Sequence, residues 1–190
     1  MRNMKWGLFC IFLFLLSAST FAQEKPSENQ TVANVFNHSL SSAEREFISA
    51  AEAMPDDKYS YAPTSGEFKG VRTFALEVRH VATVNYEFGA IILGEKCPVE
   101  LGAEENGADT LKTKDDIVKY TKDSFAYLHK ALDALNDQNL VTSMPNPFGG
   151  KNPVTRLGMA LIAVSHPYDH YGQMVEYLRS NNIVPPASRH

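Results

Sequence analysis

Two histidines near the carboxyl end of the chain have the spacing of metal ligands. His166 and His170 are four residues apart in the segment HPYDHYGQ, so in a helix their side chains would lie one turn apart on one face. Imidazole nitrogens placed in this way can converge on one divalent metal ion. A third histidine, His80, lies in the middle of another helical segment. Three neutral imidazoles would leave coordination positions free for water or substrate, as an active metal site requires.

The histidine pair also has simpler interpretations. A histidine on an apolar helix face is more often a hydrogen-bonded core residue than a ligand. The metalloprotease motif HExxH is excluded, because Pro167 and not glutamate follows His166. Pro167 either kinks a continuous helix between the two histidines or begins the second part of a broken helix. The sequence leaves both interpretations open.

Three further polar residues have the spacing to approach this histidine site. Gln173 lies one turn beyond His170 on the same face and could hydrogen-bond a metal-bound water, or it could simply be a buried polar residue between helices. Asn85 could orient a ligand, although a structural role is favoured. Glu87 follows His80 by seven residues and could act as a base, although a solvated surface position is favoured.

Four segments show the apolar periodicity of amphipathic helices. We expect them to run from about Ser41 to Met54, from Val71 to Leu93, from Lys114 to Leu135 and from Pro153 to Asn181. Gly94 is a natural stop for the second helix, and Pro153 is tolerated at the start of the fourth. No segment has the alternation of a β-strand. The pattern predicts an all-α four-helix bundle, a fold that places metal ligands inward from facing helices.

The amino terminus has the features of a secretory signal. Arg2 and Lys5 accompany an apolar run over residues 6–16, which is too short to span a bilayer. Thr20 and Ala22 put small residues at the positions that precede cleavage, and an uncleaved anchor is the alternative. We therefore expect a signal peptide at 1–22, a linker at 23–40 and one domain at 41–188. This organisation predicts a bacterial protein that is periplasmic or secreted, without membrane association after cleavage.

Charge and cysteine content narrow the range of partners. The 190 residues carry a net charge of −4 and no basic stripe, which argues against a nucleic-acid partner. Cys10 would leave with the signal, so Cys97 is expected to be an unpaired loop thiol. The three remaining histidines have no partner at ligand spacing and are interpreted as structural or surface residues; they are His38, His129 and His190.

Two stretches of the chain resemble DinB-like proteins. The run HYGQMVEYLRSNNIVPP, which begins at His170, is similar to the last helix of that family, and YSYAPT from Tyr59 leads into a similar helix with HVATVNY from His80. The similarity extends over most of residues 40–188. It implies a four-helix bundle with a divalent metal site at His80, His166 and His170. It also implies metal-dependent chemistry, which in some branches is low-molecular-weight thiol transfer, and frequent homodimers.

Together these observations predict a divalent-metal-binding bundle with a three-histidine site. Its function would be that of a metal-dependent hydrolase or group transferase with a small-molecule substrate. The alternatives are a non-catalytic metal-binding or stress-response module outside the cytoplasm, and a structural bundle with a degenerate site. Zinc, nickel, copper and iron all suit three imidazole ligands.

Overall fold

The fold is a bundle of four α-helices, which confirms the predicted all-α class. The computed structural model describes residues 30–189. Within them the helices are α1 (Val32–Ala53), α2 (Phe74–Leu93), α3 (Lys114–Asp133) and α4 (Arg156–Ser180). Short 3-10 turns occur at Asp56–Lys58, Ala103–Glu105 and Pro186–Ser188. The predicted signal peptide at 1–22 and the first residues of the predicted linker lie outside the described residues.

Helix α1 begins earlier than predicted, at Val32 and not near Ser41. Its cap is Thr31, whose hydroxyl accepts a hydrogen bond from the backbone N–H of Asn34 at 3.1 Å. The predicted cap at Ser41 or Ser42 is therefore wrong, and the segment expected to be linker is helical from Val32 onward. Val32, Phe36 and Leu40 lie at helical spacing in this segment, so the signal for the extension was present and the predicted boundary overlooked it.

The boundaries of α2 and α3 lie close to their predicted positions. The side chains of Thr73 and Thr113 cap the two helices by accepting hydrogen bonds from backbone N–H groups three residues later. Gly94 ends α2 in the left-handed conformation, with φ of 73°, as predicted for that glycine.

Helix α4 runs without a break through Pro167, which excludes the interpretation in which a second helical segment begins at this proline. Its first residue is Arg156 and its cap is Thr155, so Pro153 is not the helix start. Two short strands, β1 (Ser143–Met144) and β2 (Val154–Thr155), pair antiparallel just before α4. This pairing was not predictable from the sequence, because two-residue strands are too short to show an alternating pattern.

All four helices contribute to one hydrophobic core. Phe47 of α1 and Phe125 of α3 pack with ring centroids 6.0 Å apart, and the fully buried large residues also include Phe74 of α2 and Met174 of α4. None of the described helices is both long enough and apolar enough to cross a membrane.

Helices α2 and α4 lie antiparallel and are joined at both ends. The guanidinium of Arg156, at the start of α4, donates to the carbonyl of Ile92 near the end of α2 at 3.0 Å. Towards the other end, the hydroxyl of Tyr177 donates to the carbonyl of Arg72 at 2.9 Å. These two contacts fix the relative position of α2 and α4, and the histidines lie between them.

Candidate metal centre

The three histidines singled out in the sequence meet between α2 and α4. One ring nitrogen from each of His80, His166 and His170 lies within 4.8 Å of one from each of the others. The ring centroids are 4.6 Å apart for His166 and His170, and 4.9 Å apart for His80 and His170. The i, i+4 spacing on α4 and the antiparallel contact with α2 bring the rings together. Three imidazoles at these distances could hold one metal ion.

The hydrogen-bonding state of the rings fits a metal site. The Nδ1 atoms of His80 and His166 are buried and have no hydrogen-bond partner within residues 30–189. Buried polar atoms in native proteins nearly always have a partner. His170 differs, because its Nδ1 contacts a carboxylate, which leaves Nε2 as its ligand atom. Each of the three rings therefore keeps at least one nitrogen without a partner among the described residues, as binding of a divalent ion requires.

The electrostatic environment keeps two rings of this cluster, His80 and His166, uncharged. Burial lowers the pKa of His166 to about 3, and the neighbouring His170 and His80 add to the effect. Burial also lowers the pKa of His80, with contributions from Arg72 and His170. Both rings are therefore neutral at neutral pH, which is the form in which imidazole binds a metal.

A buried glutamate completes the site, and sequence reasoning missed it. Glu77 on α2 is 2% exposed, and its carboxylate lies 2.6 Å from Nδ1 of His170. This is the carboxylate–imidazole pairing that orients metal-bound histidines in other proteins. A signal was present in the sequence, because Glu77 precedes His80 by three residues and Glu-x-x-His is a spacing used by metal sites in helical bundles.

Gln173 and Asn85, the two polar residues expected near the site, have different surroundings. The amide nitrogen of Gln173 is 3.4 Å from Nδ1 of His170, so this exposed residue lies beside a candidate ligand. Asn85 is fully buried, and its amide donates to the hydroxyl of Ser124 on α3 at 3.3 Å. Asn85 therefore connects α2 to α3, and no hydrogen bond joins it to the described histidines.

Glu105 and an aromatic pair border the cluster. A carboxylate oxygen of Glu105 is 3.9 Å from Nδ1 of His80. Glu87 is partly buried, and its pKa is raised by this burial and by the charge of Glu105, so it is less solvated than expected. Phe88 packs edge-on against His166 at 5.7 Å and against the exposed Phe148 at 6.2 Å. The carboxylate of Glu105 thus lies beside His80, and the ring of Phe88 lies beside His166.

The remaining histidines and Cys97 lie elsewhere. His129 on α3 contacts Asn37 and Glu44 of α1 at 2.5 and 3.1 Å, in agreement with a structural role. His38 is exposed on α1, and Cys97 is a partly buried free thiol. His190 and Cys10 lie outside the described residues.

A four-helix bundle with three histidines converging from two helices is the class of protein that the fold and site define. The family model of the DinB superfamily matches residues 39–174, and the chain belongs to that superfamily. A comparison with curated proteins gives no match.

Solved structures agree with the fold. A DinB-like protein of Bacillus cereus is 19% identical, with a TM-score of 0.64, over 84% of this chain and 98% of that one. A DinB-like protein of Bacillus subtilis is 21% identical, with a TM-score of 0.59, over 78% of this chain and 92% of that one. A conserved protein of Enterococcus faecalis is 16% identical, with a TM-score of 0.61, over 80% of this chain and 97% of that one. At these identities the likeness extends to the fold alone.

Proposed function

We propose that His80, His166 and His170 bind one divalent metal ion and that the protein uses this ion in hydrolysis or group transfer on a small molecule. The observation that carries the proposal is the convergence of three imidazoles, two of them with a buried nitrogen that lacks any partner among the described residues. A core that served stability alone would rarely leave two such nitrogens unsatisfied side by side.

Each residue near the ion has a defined task in this proposal. The three histidines supply neutral nitrogen ligands, and Glu77 holds His170 so that its Nε2 faces the ion. A divalent ion with three protein ligands supplies Lewis acidity that activates water or a thiol as a nucleophile near neutral pH. Phe88 and Phe148 provide apolar surface beside His166, which suits a substrate with an apolar portion.

Metal content and a single ligand variant test the binding step. The chain is purified without chelator or histidine tag and analysed for bound metals beside His166→Ala. This variant is preferable to His170→Ala, which would leave the buried carboxylate of Glu77 unpaired and could destabilise the fold. We expect about one ion per chain in the natural protein, in line with a three-ligand site, and a large loss in the variant.

The exposed His38→Ala is the matched control, since it removes a histidine of α1 that is outside the predicted ligand set. Equal metal content in all three proteins would show that the bound metal is not at the cluster. Circular dichroism establishes whether each variant keeps its helical content.

The catalytic step has its own alternative, a metal-binding module without turnover. Three ligands leave a coordination position open, and this favours catalysis. The metal-loaded protein is therefore assayed against hydrolase and thiol-transferase substrate panels. Turnover that disappears in His166→Ala supports an enzyme, whereas tight one-to-one binding without turnover supports the module.

A further inference from the structure

The loop before α3 contains a tightly closed turn beside the histidine cluster. The backbone N–H of Gly107 donates to the carbonyl of Leu101 at 2.7 Å. A Cβ atom on Gly102 would lie 2.1 Å from the carbonyl oxygen of Gly107, so only glycine fits at that position. Residues 101–108, called here the acidic turn, are therefore held in one compact conformation.

Two arginines of the α2 region hold the acidic turn on both sides of Glu105. Arg72 donates to the carbonyl of Glu104 and to the side-chain oxygen of Asn106, both at 3.1 Å. Arg79 donates to the backbone carbonyl of Asn106 at 2.9 Å. The residues before and after Glu105 are thus anchored, so the position of Glu105 is determined by the fold.

The backbone of the turn adopts an unfavourable conformation where it presents this glutamate. Glu104 and Glu105 have φ angles of 53° and 59°, in the left-handed region that residues with a Cβ atom seldom occupy. Such conformations concentrate at functional sites. Here the result is that a carboxylate oxygen of Glu105 lies 3.9 Å from Nδ1 of His80, a nitrogen that is buried and has no hydrogen-bond partner within the described range.

We propose that Glu105 is a positioning residue for His80, accepting a hydrogen bond from Nδ1 so that Nε2 faces the metal ion. This inference rests on the proposed metal site. A hydrogen bond needs a separation of about 2.7–3.2 Å, so a side-chain rotation that moves the carboxylate about 1 Å is sufficient. The Glu105 side chain is 50% exposed and has room to rotate. Glu77 with His170 and Glu105 with His80 then form two carboxylate–imidazole pairs, which fix the tautomer and orientation of their rings.

The test compares two adjacent glutamates in the full chain. Glu104→Ala is a matched control for Glu105→Ala, because both remove one charge and one left-handed glutamate from the same turn. Zn²⁺ affinity is measured by competition with a chromophoric chelator, and circular dichroism checks folding. We expect Zn²⁺ affinity to fall about tenfold in Glu105→Ala, the lower end of the range for such partners, and less than about twofold in Glu104→Ala.

Nuclear magnetic resonance of the histidine rings gives a readout that depends on geometry. In the Zn²⁺-loaded protein we expect the proton of His80 on Nδ1 and the metal on Nε2. Zinc on Nδ1 of His80, equal affinity losses in both variants, or unchanged affinity in Glu105→Ala would each overturn the proposal. If affinity is unchanged in Glu105→Ala, the hydrogen-bond partner of His80 is instead the backbone carbonyl of Glu105, which also favours a proton on His80. Absence of Zn²⁺ binding by the natural chain would instead overturn the metal site itself.

Discussion

Replacing the buried carboxylate of Glu77 by an amide should separate metal affinity from folding stability. Glu77→Gln keeps the size of the side chain and an oxygen that can accept a hydrogen bond from Nδ1 of His170. It removes the negative charge, which is 2% exposed and 2.6 Å from that nitrogen. A charge-assisted bond of this length strengthens the imidazole as a ligand, and the neutral amide does so less.

The expected size of the effect follows from this contact. Loss of such a partner weakens metal binding about 10- to 100-fold, or about 1.4–2.8 kcal/mol. In the metal-free protein the same change should alter the free energy of unfolding by less than about 1 kcal/mol, or increase it, because the variant no longer buries a charge. Metal affinity and metal-free stability are therefore expected to change independently.

Two measurements examine this expectation. Metal affinity is determined by chelator competition, and metal-free stability by urea unfolding in the presence of EDTA. Glu87→Gln is the matched control, since it removes the same charge from a partly buried position on the same helix, with no hydrogen bond to a described histidine. The reasoning would be refuted if Glu77→Gln and Glu87→Gln weakened metal binding equally, or if Glu77→Gln lowered metal-free stability by several kcal/mol without affecting affinity.

Two further predictions concern stability. His166 has a pKa of about 3 in the folded protein and an ordinary value of 6.5, so between these values the unfolded chain binds the proton more readily. His166 should then leave metal-free stability unaffected above pH 6.5. Below pH 6.5 the free energy of unfolding should fall by up to about 1.4 kcal/mol per pH unit. Urea unfolding at several pH values should show a shallower decline in His166→Ala. Gly89→Ala would place a Cβ atom 2.8 Å from the ring of Tyr127, whereas Gly172 has no atom within 4 Å of such a Cβ. In thermal unfolding we expect Gly172→Ala to be stabilised by up to about 1 kcal/mol. We expect Gly89→Ala to be less stable than Gly172→Ala by about 1 kcal/mol or more. Equal effects of the two substitutions would contradict this packing.

The fold was predictable because most of its helices carry strong periodic signals. Gly94 indicated the end of α2, and apolar residues at helical spacing indicated the buried faces of α3 and α4. The start of α1 carried the same kind of signal, because Val32, Phe36 and Leu40 lie at helical spacing and pack on the core, but the predicted boundary overlooked it. Asn37 adds polar contacts with His129 and Asp133 on α3. These tertiary contacts could not be read from a local apolar pattern.

The site was predictable as far as it depends on one helix. The spacing of His166 and His170 is a local property, and their proximity follows from helix geometry alone. The pairing of Glu77 with His170 joins residues 93 positions apart, so it depends on how α2 packs against α4. The position of Glu105 was harder still to predict, because it depends on a left-handed backbone conformation and on two arginines outside the acidic turn. Sequence periodicity contains neither kind of information.

The buried carboxylate also bears on the choice between a working metal site and a degenerate one. Glu77 is almost fully buried, its hydrogen bond is to His170, and no lysine or arginine within residues 30–189 forms an ion pair with it. The other two rings of the cluster are uncharged at neutral pH, so they contribute no balancing charge. Burying a carboxylate costs several kcal/mol unless a positive charge lies close by.

A divalent ion on the far side of the His170 ring would supply that positive charge. A bundle without metal could carry apolar residues in place of both Glu77 and His170, since such replacements of a whole buried ionic pair are often neutral or stabilising by about 1–4 kcal/mol. The degenerate-site interpretation therefore has to account for a buried contact between Glu77 and His170, whereas in the metal-site interpretation that carboxylate orients a ligand. On this argument, the presence of Glu77 beside three histidines favours a site that binds its ion.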